Sequence, residues 1–310
     1  MATWQGKTRG GLLGHQIFVF ILRYLGLKPA YFILRFVSLY YFIFSHKSNR
    51  YIYSYFKDIQ HYSACRARKA VYRNYYCFGQ ILIDKVAIYS GLADKFTFDL
   101  EDEKHLAAMD EGGFMLSAHI GNWEMAGKKS DRIRKTMNLL MLDEEHRRIK
   151  HYLESVMKER NFRVIPLKDD LSHLIAIRQA LDNGELVAIH GDRFMEGTKT
   201  LTAKFLGNNA RFPEGPFYLT LRMNAPVSFA FAMKEGHLHY HFYATPPKRY
   251  NLPEGKRISR DHLEPILIDY IEALEAMLKK YPEQWFNYYN FWEEGKTAVS
   301  GQRSAVSDKK

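Results

Sequence analysis

Cysteine is scarce in this chain and poorly placed for chemistry. Cys65 and Cys77 are the only two in 310 residues. They lie twelve apart on what reads as helical sequence, which suits neither a zinc site nor a redox pair, and two cysteines make no disulfide framework. A reducing compartment is the simpler reading. Long uninterrupted apolar runs are also missing. Residues 10–44 are strongly apolar, but Arg23, Lys28 and Arg35 interrupt them and Pro29 breaks them. No stretch reaches the roughly 20 residues that a bilayer-crossing helix needs. The segment follows Lys7 and Arg9, runs on too long and lacks a small-residue cleavage site, so it is not read as a signal peptide. Two short helices lying in or dipping into a membrane interface are expected, with a tilted anchor and snorkelling arginines as the other arrangement. Acidic residues fall short as well, at 34 against 45 Lys and Arg, for a net charge of +11. Such a surplus fits nucleic acid, an anionic membrane surface or an acidic protein partner.

What is abundant helps to choose among these. The chain holds 21 Tyr, 21 Phe and 4 Trp, residue types that gather at the membrane–water boundary. Basic plus aromatic suits an enzyme resting on anionic lipid. A nucleic-acid binder explains only the charge and leaves the apolar N-terminus without a purpose. The plain alternative is an aromatic-rich soluble core with basic solvated faces.

No repeat or low-complexity linker divides the chain. Residues 1–48 read as membrane-associating helices, 49–294 as one catalytic domain and 295–310 as a disordered polar tail. Helical patterns cover 49–90 and 103–110. From there strands and helices alternate: strand 113–118, helix 122–134, strand 137–142, helix 145–160, strand 163–167, helix 170–183, strand 186–190. A helix at 214–223, strands 226–233 and 237–243 and a long helix at 258–280 follow. This alternation predicts an α/β fold with a mixed, mostly parallel sheet flanked by helices. In such sheets chemistry gathers at the carboxyl ends of strands. His119 and the Gly191-Asp192-Arg193 turn, each following a strand, should therefore open onto one edge.

The stretch His119-Ile120-Gly121-Asn122-Trp123-Glu124 lies where the strand Phe114–Ala118 runs out. A hydroxyl is a poor nucleophile at neutral pH and needs a base within hydrogen-bond reach. Imidazole suits that task, and a carboxylate on its other nitrogen would fix the tautomer. His119 is the candidate base and Glu124 its partner; the plain alternative makes His119 a helix cap and Glu124 an ordinary first-turn acid. With no serine in the motif, direct transfer without a covalent intermediate is expected. Arg193 is a candidate for holding a developing oxyanion, with Asp192 orienting it or supporting the base; a structural Asp–Arg pair is the alternative. Lys204, Arg211 and Gly215 lie on a turn-rich basic segment whose helix start could hold an anionic headgroup, though a plain loop also fits. Asn122 completes the candidate substrate-binding residues. His237, His239 and His241 alternate as on one strand face, yet no partner stands at ligand spacing, and no metal is expected. The aromatic run Trp285–Trp292 reads as core packing after the long helix, or as a surface against lipid.

Taken in order, His119 through Glu124, Asp192-Arg193, Phe205-Leu206-Gly207, Phe212-Pro213-Glu214-Gly215-Pro216 and Pro282 through Trp292 resemble the lipid A biosynthesis acyltransferase family, the late lauroyl and myristoyl transferases. The resemblance runs from about residue 4 to residue 294. It implies an α/β core of the glycerol-phosphate-acyltransferase type, at the cytoplasmic face of the bacterial inner membrane. It also implies transfer of a fatty acyl chain from acyl carrier protein, or from coenzyme A, to a hydroxyl of a lipid acceptor. His119 and Glu124 match the family's His and Glu, Arg193 matches a basic position, and no cofactor is implied. One departure stands out. Where members acting on lipid A carry Tyr-Arg-Pro after the second strand, this chain reads Leu140-Met141-Leu142-Asp143-Glu144-Glu145-His146. Arg147 or Arg148 is left to substitute. Phe212 through Gly215 also resembles the acceptor motif of lysophosphatidate acyltransferases. A lysophospholipid or aminolipid acceptor, or a catalytically silent lipid-binding scaffold, are therefore the other functions the sequence allows.

Overall fold

The structure, a computed structural model, describes residues 26–122, 133, 135–142, 162–167 and 170–292. The first described element, α1 (Leu27–Phe44), buries Leu27, Ala30, Tyr31, Leu34 and Ser38, a helical stripe turned toward protein. Its opposite face exposes Phe32, Phe36, Leu39, Tyr40, Ile43 and Phe44. Only the second of the two expected apolar helices falls among the described residues. α2 (His46–Ser54) and a widened turn at Tyr55–Ile59 lead to α3 (Ala64–Ala87). Ser63 caps α3 by accepting the Arg66 N–H, an arrangement worth about 1 kcal/mol. α1 lies so close on α3 that a Cβ at Gly79 would stand 2.2 Å from Leu34 Cδ1.

A short strand β1 (Thr97–Asp99) and helix α4 (Glu103–Ala107) precede β2 (Gly113–Ser117). There follow β3 (Met137–Leu142), β4 (Phe162–Leu167), α5 (Ser172–Asp182) and β5 (Leu186–His190). A hairpin of β6 (Thr200–Phe205) and β7 (Asn208–Pro213) leads into α6 (Glu214–Met223). β8 (Val227–Lys234), β9 (His239–Ala244) and α7 (Arg260–Lys280) complete the set. The main sheet has seven strands in the order β1-β9-β8-β2-β5-β3-β4. Every neighbouring pair is parallel except β8–β9. The expected mixed, mostly parallel sheet with flanking helices is thus present. β2 and β8 are buried along their whole length, as strands covered on both faces must be. That is why they read as continuous apolar runs. The expected helices at 122–134 and 145–160, Arg147, Arg148 and the tail from 295 lie outside the described residues.

The segment read as a basic loop is instead the β6–β7 hairpin, so Lys204 and Arg211 stand on paired strands. The period-2 signal was present: Leu201 and Phe205 are buried on one strand, Ala210 and Phe212 on the other. Leu206 and Gly207 both take positive φ, 49° and 82°, as a two-residue hairpin turn of matching twist requires. Glu275 holds the turn by accepting the Leu206 N–H at 2.5 Å. His237 precedes β9, so the three histidines do not share a strand face; its ring packs edge-on against Tyr31.

A buried ion pair ties the N-terminal helices to the sheet. Lys234 Nζ at the end of β8 lies 2.6 Å from Asp84 Oδ2 on α3. The Tyr31 and Tyr240 hydroxyls donate to the same carboxylate, and Lys234 also donates to the His237 carbonyl at 2.7 Å. A charge pair removed from water in this way is tolerable only because its remaining valences are met.

Candidate active site

β2 and β5 are parallel neighbours, with Ser117 opposite His190. Both strands therefore end at the same edge, and the loops beyond them meet. After Ser117 the chain turns sharply. The Ile120 N–H bonds the Ala118 carbonyl, and Gly121 takes a φ of +59°. Gly121 is required twice over, since a Cβ there would lie 2.1 Å from the Ala232 carbonyl oxygen and the backbone conformation disfavours any other residue. The turn lifts His119 off the sheet and leaves its side chain about a quarter exposed (26%).

The carboxylate found on the imidazole is that of Asp192. Its Oδ1 lies 2.7 Å from His119 Nδ1 and its Oδ2 accepts the His119 backbone N–H at 2.9 Å. Asp192 is 1% exposed. Burial opposes its ionisation, but His119, the hydrogen bond from it and Arg193 outweigh that cost and hold its carboxyl well below the usual carboxylate range. A carboxylate on Nδ1 places the imidazole proton there and leaves Nε2 as the nitrogen that carries the lone pair. Glu124, expected in this role, lies outside the described residues.

The end of the domain straps this loop in place. Gly121 donates to the Gln284 carbonyl at 3.0 Å and Phe286 donates to the His119 carbonyl at 3.1 Å. The Gln284 side chain pairs with both backbone groups of Lys234, at 3.0 and 2.7 Å. Asn74, buried on α3, donates to the Glu283 and Trp285 carbonyls, both at 2.9 Å. The Tyr289 hydroxyl donates to the Asp192 carbonyl at 3.1 Å. Trp285, Phe286 and Phe291 are buried, so the aromatic run packs in the core; its backbone holds the His119 loop through Phe286, and the Tyr289 side chain holds Asp192. Motif reading included Gln284 and Tyr289 in the Pro282–Trp292 segment without giving them a role, and it missed Asn74; a polar residue that bonds backbone carries no recognisable spacing.

The other sequence-predicted residues separate into near and far. Arg193 is at the site, with Nη2 donating to the Phe286 carbonyl at 2.8 Å. Asn122 is buried beneath the loop, its N–H on the Ala232 carbonyl at 2.7 Å. Arg211 reaches the neighbourhood through Phe194, its guanidinium 5.4 Å from the ring centre. Lys204 is exposed on β6, and Gly215 is exposed in the first turn of α6. One neighbour was not singled out by sequence: the His190 ring lies 4.5 Å from the His119 ring, centre to centre. One nitrogen from each histidine and an Asp192 oxygen fall within 4.8 Å of one another. That spacing would suit a metal, and the 2.7 Å Nδ1–Oδ1 contact pairs His119 with Asp192 through a hydrogen bond.

Proton removal from an acceptor hydroxyl needs a base of this kind within hydrogen-bond reach. No curated protein matches the chain. Residues 16–293 match the family described as bacterial lipid A biosynthesis acyltransferase, most of the sequence, and the chain belongs to that family.

Proposed function

We propose that this protein is a membrane-associated O-acyltransferase. It moves a fatty acyl chain from the thioester of acyl carrier protein or coenzyme A to a hydroxyl of a lipid A precursor or a related lipid. The observation that carries the reading is the 2.7 Å contact between His119 Nδ1 and Asp192 Oδ1 at the edge where β2 and β5 end. His119 Nε2 takes the acceptor's proton as its oxygen attacks the thioester carbonyl. Asp192 fixes the tautomer and stabilises the imidazolium. Collapse of the tetrahedral intermediate expels the thiolate, which takes the proton back from His119. No acyl-enzyme forms and no cofactor or metal takes part.

Glu124 is assigned a role toward the acceptor, since Asp192 already occupies His119 Nδ1. Arg193 braces the strap and lends positive charge to the site. Asn122 holds the loop from below. Arg211, Lys204 and Gly215 form a basic approach for an anionic headgroup. The apolar face of α1, Phe32 through Phe44, enters the cytoplasmic side of the inner membrane, and the net charge of +11 favours both anionic lipid and an acidic carrier protein. At 18 residues the helix is about 27 Å long, close to the thickness of a hydrocarbon core.

The test is transfer by purified protein from acyl-loaded carrier protein to a lipid A precursor with a free hydroxyl, read by product mass. An added acyl mass supports the reading. Transfer to a lysophospholipid or aminolipid instead would keep the chemistry and change the acceptor. Absence of transfer to any of them would favour the silent scaffold.

A further inference from the structure

We propose that α1 lies in the plane of the membrane surface rather than across it, with its exposed apolar face in the acyl chains of an anionic leaflet, and that the chain's surplus positive charge serves this contact. The orientation rests on the membrane-associated reading of the protein. Charge is unevenly placed along the chain. Residues 1–83 carry twelve Lys and Arg against a single acid, Asp58, whereas residues 84–310 carry 33 of each sign. The whole net charge of +11 therefore belongs to the N-terminal part, and the part that builds the sheet is neutral in sum. Such an asymmetry marks a surface for an anionic partner.

The exposed apolar face lies in that same part. Phe32, Phe36, Leu39 and Ile43 all stand out from α1. Lys28 and Arg35, seven residues apart and so on one line of the helix, are exposed beside them, and Lys47 and Arg50 are exposed on α2 just beyond its end. An apolar strip edged by cations is what an interfacial helix presents to anionic lipid. An acidic protein partner would match the cations and leave the apolar strip uncovered in water.

Length alone would let α1 cross a bilayer, but its packing opposes that orientation. Tyr31 donates to Asp84, Leu34 lies against Gly79, the Tyr41 ring stacks on Tyr75 and Phe42 meets the Tyr72 ring. α1 thus runs antiparallel along α3, from residue 84 back to residue 72. α3 is itself bound to the domain, through Asp84 to Lys234 and through Asn74 to the Glu283 and Trp285 carbonyls. Sending α1 across the hydrocarbon would carry this stretch of α3 with it. That stretch includes Arg73, whose side chain is 65% exposed and pairs with Glu283 at 3.3 Å, and ionised groups in hydrocarbon are costly. With α1 in plane, its protein-facing stripe keeps every one of these contacts and only the opposite face meets acyl chains.

The experiment uses the full chain bound to vesicles of phosphatidylglycerol and phosphatidylethanolamine. In a Cys65→Ser background, Phe32→Cys, Phe36→Cys, Leu39→Cys and Ile43→Cys are labelled one at a time with a polarity-sensitive dye. Quenching by lipids brominated at different depths then locates each label. All four are expected at one shallow level, about 5–10 Å into the headgroup–acyl boundary. A depth that changes steadily by about 16 Å from Phe32 to Ile43, the rise of the intervening helix, overturns the in-plane orientation. Labels that no lipid quenches overturn the membrane contact altogether. The charge is tested by combining Arg35→Gln, Lys47→Gln and Arg50→Gln. A cation beside an anionic leaflet contributes about fivefold in affinity, so binding to these vesicles should weaken at least about tenfold. A loss under about twofold overturns the proposal, and a raised KM for acyl-loaded carrier protein in its place would give the charge to an acidic protein. Acyl transfer in detergent, measured on the same proteins, separates the two readings. Active protein whose labels are not quenched keeps acyl transfer and sinks this proposal; quenched labels at one depth on a protein that transfers nothing sink the acyl-transfer reading alone.

Discussion

Asp192→Asn is the substitution the site makes most informative. Aspartate accepts two bonds from His119, from Nδ1 at 2.7 Å and from the backbone N–H at 2.9 Å. Asparagine has nearly the same shape, and its one oxygen can keep the backbone bond. Its NH2 then faces Nδ1, and a donor there forces the imidazole to present a lone pair. The ring proton moves to Nε2, the nitrogen that should receive the acceptor's proton. The base is thus disabled with the fold intact. Loss of a correct tautomer in a His–carboxylate pair costs about 10⁴ in kcat; allowing for incomplete tautomer switching, we expect about 10³–10⁴, or about 4–5.5 kcal/mol of barrier. The assay is the initial rate of acyl transfer from a thioester, with circular dichroism as the fold control. Stability should respond as well. Because the folded Asp192 carboxyl is held below its ordinary value, its ionised form stabilises the protein above the unfolded value of about 4 and that stabilisation is lost as pH falls through the folded value. Asp192→Asn lacks this contribution, so it should lose less stability than wild type between pH 5 and pH 2 in urea titrations, roughly the window in which such a carboxylate titrates. A folded Asn variant within about threefold of wild-type rate would refute the tautomer argument, and Glu124→Gln should slow transfer without this change in acid stability.

Three further outcomes follow from other parts of the fold. Lys234→Met strands the Asp84 carboxylate in the core, and should cost about 3–5 kcal/mol in chemical denaturation; a loss under about 1 kcal/mol would mean that water reaches the pair. Changing Phe32, Phe36 and Phe44 together to Ser removes apolar surface worth up to about 1.5–3 kcal/mol per side chain. Binding to anionic vesicles should weaken at least about tenfold, and unchanged partitioning would show that the exposed face of α1 does not meet lipid. Burial pushes the Cys77 thiol up to about 12, while Cys65 is exposed. Maleimide at neutral pH should label Cys65 and spare Cys77 in the native protein, which peptide mass mapping reads directly.

The sheet was legible because its strands are buried on both faces. β2, β3 and β5 read as short apolar runs ended by turn residues, and the structure places them within a residue or so of the expected bounds. The β6–β7 hairpin was hidden because its turn is Leu206-Gly207 and its strands carry Lys204, Asn209 and Arg211 on the solvent side, which lent the segment the look of a basic loop. At the site, the meeting of the His119 loop with the Asp192 turn followed from strand topology alone. The contact of Asp192 with the imidazole did not, since the two residues lie 73 apart in sequence and only the register of β2 on β5 brings them together. His190 was passed over for the same reason: only the pairing with Ser117 turns a strand-end histidine into a neighbour of the base.

The central claim is that His119 drives acyl transfer to a lipid. Its most direct test is deletion of the gene in its host, with intact lipids compared by mass spectrometry after rescue by wild type or by His119→Ala. The account predicts that one acyl chain disappears from lipid A or a related lipid, that wild type restores it and that His119→Ala, present at normal abundance, does not. Restoration by His119→Ala, or a lipid profile that the deletion leaves unchanged, would contradict it.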